Sequence, residues 1–133
     1  MIFADASAVI AIIAGEERAG ELADRLAAYP ERLCSAMSLW ETVAGLRRSH
    51  GLVLSDARFR TERFRTEMEL RIAAIGETEM HLALDAYAQY GKGRHQAALN
   101  MGDCFAYACA RAHGARLLYV GQDFVHTDLA WAD

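Results

Sequence analysis

The chain has 133 residues, 53% of them hydrophobic, with a single proline and a formal net charge of −4. That length gives one domain (1–133) with a real core, and the composition excludes a disordered or linker-rich chain. The negative balance excludes a generic polyanion binder, because non-specific nucleic-acid affinity rests on clustered Lys and Arg. A nucleic-acid partner therefore needs a local basic patch.

No apolar run approaches the length needed to cross a bilayer, and the stretch 1–14 carries an acid at position 5 without a basic leader, unlike a signal peptide. The expectation is a cytoplasmic protein without membrane contact. Three cysteines (Cys34, Cys104, Cys109) form no CxxC pair and read as buried free thiols. The five histidines show neither HExxH nor His-x-His, which leaves little support for a nitrogen-rich metal site.

In chain order, residues 1–4 read as a short buried strand ending at Asp5. Ala6–Ala14 reads as an apolar helix stopped by Gly15. Residues 16–29 read as an amphipathic helix closed by Pro30, and 32–36 as a second strand. A third helix is expected from Ser38 to His50, with Leu39, Trp40, Val43 and Leu46 facing inward and Gly51 closing it. Residues 55–69 read as a charged helix, with Arg58/Glu62, Arg63/Glu67 and Arg65/Glu69 four apart and a narrow stripe of Phe64 and Met68. Residues 71–75 form a third strand candidate, and Thr78 caps a helix through Tyr90.

Gly91-Lys92-Gly93-Arg94-His95 reads as a flexible basic loop. The turn Asn100-Met101-Gly102 opens a helix with Asp103 in its first turn, running to His113 and ending at Gly114. Residues 117–120 are the clearest strand, left through the loop Gly121-Gln122-Asp123-Phe124. Short apolar strands between amphipathic helices predict an α/β fold, with helices on both faces of a central parallel sheet. No internal repeat or domain boundary is visible.

Each acid has a plain structural role open to it. Asp5 can cap the first helix, Glu41 stands three residues after Ser38 in a Ser-x-x-Glu capping pattern, Asp103 answers a helix dipole, and Asp123 suits a turn. Together they mean more. Ligands of parallel sheets sit outside the carboxyl ends of the strands, where helices that follow strands begin. Four carboxylates gathered there repel one another unless a cation is present, and an oxygen-only donor set suits Mg²⁺ or Mn²⁺. That chemistry is metal-assisted phosphodiester hydrolysis.

Ser7 is either a helix-start hydroxyl or a group orienting a carboxylate. Asn100 is a turn residue or a ligand contact. Lys92, Arg94 and His95 make the one compact basic cluster, a solvated turn or a phosphate contact. The arginines of 58–71 read as a self-paired solvated face. Trp40 and Trp131 read as core and terminal packing.

With those residues in place, the chain resembles the PIN-domain ribonucleases, specifically the VapC toxins of bacterial type II toxin–antitoxin pairs. The resemblance runs through Met1-Ile2-Phe3-Ala4-Asp5-Ala6-Ser7-Ala8, Ser35-Ala36-Met37-Ser38-Leu39-Trp40-Glu41, Gly91 to His95, Ala98-Leu99-Asn100-Met101-Gly102-Asp103-Cys104-Phe105-Ala106-Tyr107-Ala108, Leu117-Leu118-Tyr119-Val120-Gly121-Gln122-Asp123-Phe124 and Thr127-Asp128-Leu129. It implies a three-layer α/β/α sandwich. It further implies an Mg²⁺- or Mn²⁺-dependent nuclease cutting RNA (tRNA or rRNA), a homodimer, and a cognate antitoxin that lays a peptide into a groove. By the resemblance Asp5, Glu41 and Asp103 are the metal-binding acids and Asp123 a fourth, less uniform one.

One position departs. Related loops carry two adjacent acids after the glycine, whereas Gln122 takes the first place here, so Asp128 enters as a possible substitute. Two other readings stay open: a catalytically silent PIN-like interaction module, and phosphotransfer through an Asp5 nucleophile. The second lacks the further acid that such enzymes place two residues on, where Ser7 stands. A P-loop nucleotide binder fares worse, because Gly93 follows Lys92 where Ser or Thr is needed and the upstream glycine is missing.

Overall fold

Residues 1–131 are described by the computed structural model. Its elements are β1 (Ile2–Ala4), α1 (Ala6–Ala14), α2 (Ala19–Ala27), β2 (Arg32–Cys34), α3 (Ala36–His50), α4 (Leu54–Glu67), β3 (Arg71–Ile72), α5 (Glu77–Tyr90), α6 (Met101–His113) and β4 (Arg116–Leu118). The strands form one sheet in the order β3-β2-β1-β4, parallel throughout.

Period two decides how the layers form. In β1, Phe3 points to one face, where Leu33 and Leu117 meet residues of α5 and α6. Its neighbours Ile2 and Ala4 point to the other, packing with Cys34, Leu118 and the buried stripes of α1 and α2. All of β1 is buried because both faces are covered, as parallel sheets require. The α/β/α sandwich follows directly. Among the described residues no helix is long and apolar enough to cross a membrane.

Several expected boundaries move, each for a local reason. Helix α3 starts two residues before Ser38, because Ser35 is the N-cap and Ser38 the third helical residue. Each serine hydroxyl accepts the other's backbone N–H, at 3.0 and 2.9 Å. This start turns Ser38, Thr42, Gly45 and Leu46 inward. Trp40 lies on the opposite side and is 73% exposed, so it is not a core residue. Glu41 is thereby released from any capping duty.

Helix α4 ends at Glu67, and Glu69 adopts a left-handed backbone (φ 53°). Arg65 therefore pairs with Glu62 at 3.0 Å instead of Glu69, while Arg63–Glu67 forms as expected at 2.8 Å. Helix α5 is started by Gly76, whose N–H the Glu79 carboxylate accepts at 2.7 Å, and not by Thr78. Helix α2 is shorter than 16–29, because residues 16–19 make a turn before it. Strand β2 stops at Cys34 because Ser35 turns to cap α3, and β3 is a two-residue exposed edge. Strand β4 stops at Leu118, since the N–H of Val120 donates to Ser7 Oγ and leaves the ladder.

Candidate active site

Asp5 is the first residue after β1. Its backbone N–H donates to Leu118 O at 2.9 Å, completing the ladder, while its side chain caps α1. The carboxylate Oδ2 accepts the Ser7 N–H at 3.0 Å and the Ser7 hydroxyl at 2.5 Å. Ser7 Oγ in turn accepts the Val120 N–H at 3.0 Å. One hydroxyl thus ties the end of β1 to the segment leaving β4. The helix-start and carboxylate-orienting readings of Ser7 are both realised.

Asn100 is the N-cap of α6. Its Oδ1 accepts the Asp103 N–H at 2.9 Å, and Asp103 Oδ2 accepts the Asn100 N–H at 3.1 Å. Asp103 is buried, as is Asp5. Glu41, in the second turn of α3, reaches across to the first turn of α6. A Cβ built on Gly102 collides with Glu41 Oε2 and lies 2.6 Å from its Cδ. Glycine at 102 is what lets the Glu41 carboxylate lie beside Asp103.

Asp123 stands exposed in the loop after β4, preceded by Gly121 at φ 98°. The four acids lie in one another's fields. Burial, the largest cause, raises Asp5, with Asp123 adding to it and the Ser7 bonds opposing. Burial and then Asp5 push Glu41 up to about 7, against Arg48. Burial, Asp5, Asp123 and Glu41 push Asp103 up to about 7, against the Asn100 N–H.

The acids converge without closing on a point. Among the described residues no three Asp, Glu, His or Cys side chains are gathered tightly enough to grip an ion as they stand.

Sequence reasoning missed Arg48, seven residues beyond Glu41 and so two turns along the same face of α3. Gly102 was also missed, although a glycine inside a helix's first turn is a costly choice that signals close approach. The basic loop is not brought to the acids. It is closed at its base by the Lys92 N–H to Leu99 O bond (3.0 Å). Arg94 stands 5.4 Å over the Tyr87 ring, and neither Lys92 nor Arg94 is among the charges that act on Asp5, Glu41 or Asp103.

Asp128 does not substitute for Asp123. Its oxygens are taken by Tyr107 OH at 2.7 Å, Tyr90 OH at 3.5 Å and Arg111 at 3.2 Å. Trp131 matches its expected terminal packing, with its indole N–H donating to Leu117 O at 2.6 Å and Arg25 and Arg116 over its ring.

The raised acids set a pH dependence. In the folded chain Glu41 and Asp103 hold protons up to about pH 7, while unfolded they release them near their usual 4.5 and 3.8. Between those limits the folded state binds more protons, so stability is fullest below the unfolded values and falls as pH rises through about 7. Chelator-treated protein is expected to melt higher at about pH 5 than at about pH 8. Thermal melts across that range check it, and a trend of opposite sign contradicts it.

A short all-parallel sheet between two layers of helices, with Asp5 and Asp103 following its carboxyl edge, defines an α/β/α domain. The PIN domain model matches residues 2–129. The chain is 40% identical over 126 residues to Ribonuclease VapC36 of Mycobacterium tuberculosis, covering 94% of this chain and 88% of the relative. It is 39% identical over 141 residues to a VapC ribonuclease of Rhizobium meliloti, covering 97% and 99%. In fold it is similar to Mycobacterium tuberculosis VapC20, a sarcin-ricin-loop-cleaving toxin (TM-score 0.71, 21% identity, 93% and 92% covered). It is equally similar to a chain of a toxin–antitoxin complex from Klebsiella pneumoniae (TM-score 0.69, 17% identity, 99% and 97% covered). The chain belongs to the PIN-domain family, among its VapC ribonucleases.

Proposed function

We propose that this chain is the endoribonuclease toxin of a toxin–antitoxin pair and hydrolyses RNA phosphodiester bonds at the acid cluster. The observation that carries the reading is the convergence of Asp5, Glu41, Asp103 and Asp123, from four separate segments, into one mutually repelling group. An all-oxygen set of this kind fits Mg²⁺, with Mn²⁺ as a substitute. Asp5, Glu41 and Asp103 would hold the ion, with Asp123 supporting it or the attacking water. Carboxylates that do not yet close on a point suit Mg²⁺, which keeps several of its waters.

When bound, such an ion activates water and neutralises the leaving oxygen. The chain's own part is orientation. Ser7 fixes the Asp5 carboxylate, Asn100 fixes Asp103, and Gly102 makes room for Glu41.

A groove of about 450 Å³ between α3 and α4, lined by Leu39, Trp40, Val43 and Leu54 with Arg47, Arg58 and one acid, Glu62, suits a largely apolar antitoxin segment carrying an acid opposite the arginines. The exposed Met80, Leu84 and Tyr87 of α5, with Met101, offer a second copy an apolar face. A cytoplasmic location goes with this reading, since the proposed substrate is RNA. For the basic loop, Lys92 keeps its reading as a phosphate contact, while Arg94 would first have to leave Tyr87.

The test is incubation of the purified chain with total RNA, with Mg²⁺ or with chelator, followed by mapping of the new ends. Water as nucleophile leaves 5′-phosphate and 3′-hydroxyl ends, and these are expected only with the divalent ion present. Cleavage that survives chelation and leaves 2′,3′-cyclic phosphate contradicts the mechanism. No cleavage of any RNA, with Mn²⁺ binding also absent, favours the silent interaction module that Gln122 keeps in view.

A further inference from the structure

The segment between β4 and Trp131 carries Asp123, and its own backbone does little to place that residue. Gly121, Gln122 and Asp123 are all exposed, and Gly121 has a left-handed backbone. Burial begins at the next residue. Phe124 is 1% exposed, with its ring centroid 5.3 Å from that of Tyr119. Thr127 Oγ1 donates to Phe124 O at 2.8 Å and accepts the Leu129 N–H at 3.2 Å, making 124–129 a tight built turn.

At the far side of that turn Asp128 reaches back to helix α6. Its Oδ1 accepts the Tyr107 hydroxyl at 2.7 Å and, more distantly, that of Tyr90 on α5 at 3.5 Å; its Oδ2 pairs with Arg111 at 3.2 Å. A hydroxyl-to-carboxylate bond of this length is charge-assisted and among the stronger kinds. Asp103, Tyr107 and Arg111 recur every four residues, so they share one stripe of α6. The helix that presents Asp103 at its start therefore grips the Asp123 loop one and two turns further on.

The geometry points to Asp128 as a positioning residue: held by Tyr107 and Arg111, it fixes the loop that brings Asp123 up to Asp103. Asp128 thus serves the acid cluster without joining it. The consequence for catalysis rests on the nuclease reading above, whereas the latch itself rests on geometry alone.

Tyr107→Phe tests it, since the buried ring stays in place and only the hydroxyl is lost; Asp128→Ala removes the carboxylate and so its bonds to Tyr107, Tyr90 and Arg111. Both variants are expected to speed amide hydrogen exchange across residues 121–126 by about tenfold, with exchange in α6 unchanged. Both are expected to lower kcat for RNA cleavage by about tenfold or more with KM little altered, the signature of a misplaced group in the reacting complex. Under single-turnover conditions in an Asp123→Asn background, Tyr107→Phe should cost nothing further, because its effect passes through Asp123.

An equal loss in both backgrounds, or exchange of 121–126 at the wild-type rate, overturns the assignment. If the wild-type chain cuts no RNA, the nuclease reading has failed, and the exchange measurement alone decides the latch.

Discussion

Asp103→Asn is expected to lower RNA cleavage by roughly a thousandfold or more while the fold survives and the metal-free protein becomes more stable. The three outcomes share one cause. Asp103 does two jobs: one oxygen accepts the Asn100 N–H at 3.1 Å, and its charge stands among those of Asp5, Glu41 and Asp123. Asparagine has the same shape and keeps an oxygen for the Asn100 N–H, so the helix start remains satisfied. Only the charge goes.

Losing that charge relieves the repulsion on the remaining acids, and each kcal/mol relieved raises the Tm of a chain this size by roughly 4 °C. Mg²⁺ should stabilise the wild type by mass action and the variant much less. Asp5→Asn should behave alike, with the Ser7 bonds holding the amide. Full activity in either variant, or a variant less stable than wild type in chelator, contradicts the account.

Gly102→Ala is expected to reduce cleavage by about ten- to a hundredfold with little change in Tm. In most helices this exchange stabilises by about 1 kcal/mol, because alanine is the better helix former. Here the new methyl occupies the place of the Glu41 carboxylate. That carboxylate is the free end of a flexible side chain, so it can swing away at small energetic cost, and the fold tolerates the change. The site does not.

The dissociation of the two readouts is the point of the experiment. Gly45→Ala is the contrast, because the added methyl there meets Ile10 Cδ1 between α1 and α3 and no carboxylate. It should cost stability before activity. If Gly102→Ala keeps full activity, Glu41 does not work from the position described.

Asp5 and Asp103 were legible because each follows a local pattern that folding preserves: an acid directly after a buried strand, and an acid behind an Asn-x-Gly helix start. Their meeting was legible from the rule for parallel sheets. Glu41 was legible as an acid near a helix start, with a capping duty as its rival reading. Ser38 with Glu41 matches the common capping pattern, whereas the box that forms uses Ser35 and Ser38, the same spacing one turn earlier. That shift also rotated the helix and moved Trp40 from the supposed core to the surface, since each residue advances the helix by about 100°.

Asp128 was illegible in principle. Its partners lie 17 to 38 residues away on α5 and α6, and no local spacing brings them to it. Arg94 shows the opposite limit. A basic cluster in sequence marks available charge, and its direction depends on the neighbouring helix, here through the Tyr87 ring.

The central claim is that these acids make one divalent-ion site, and Mn²⁺ binding followed by electron paramagnetic resonance measures it most directly. Titration of the wild-type chain at about pH 8, above the values of about 7 to which Glu41 and Asp103 are pushed, should quench the free-ion signal to saturation. Glu41→Gln and Asp103→Asn should each weaken that binding by tenfold or more, on the order of one charged ligand lost, while Asp85→Asn on the exposed side of α5 changes nothing. Equal Mn²⁺ affinity in all four proteins would show that the acids hold no common ion.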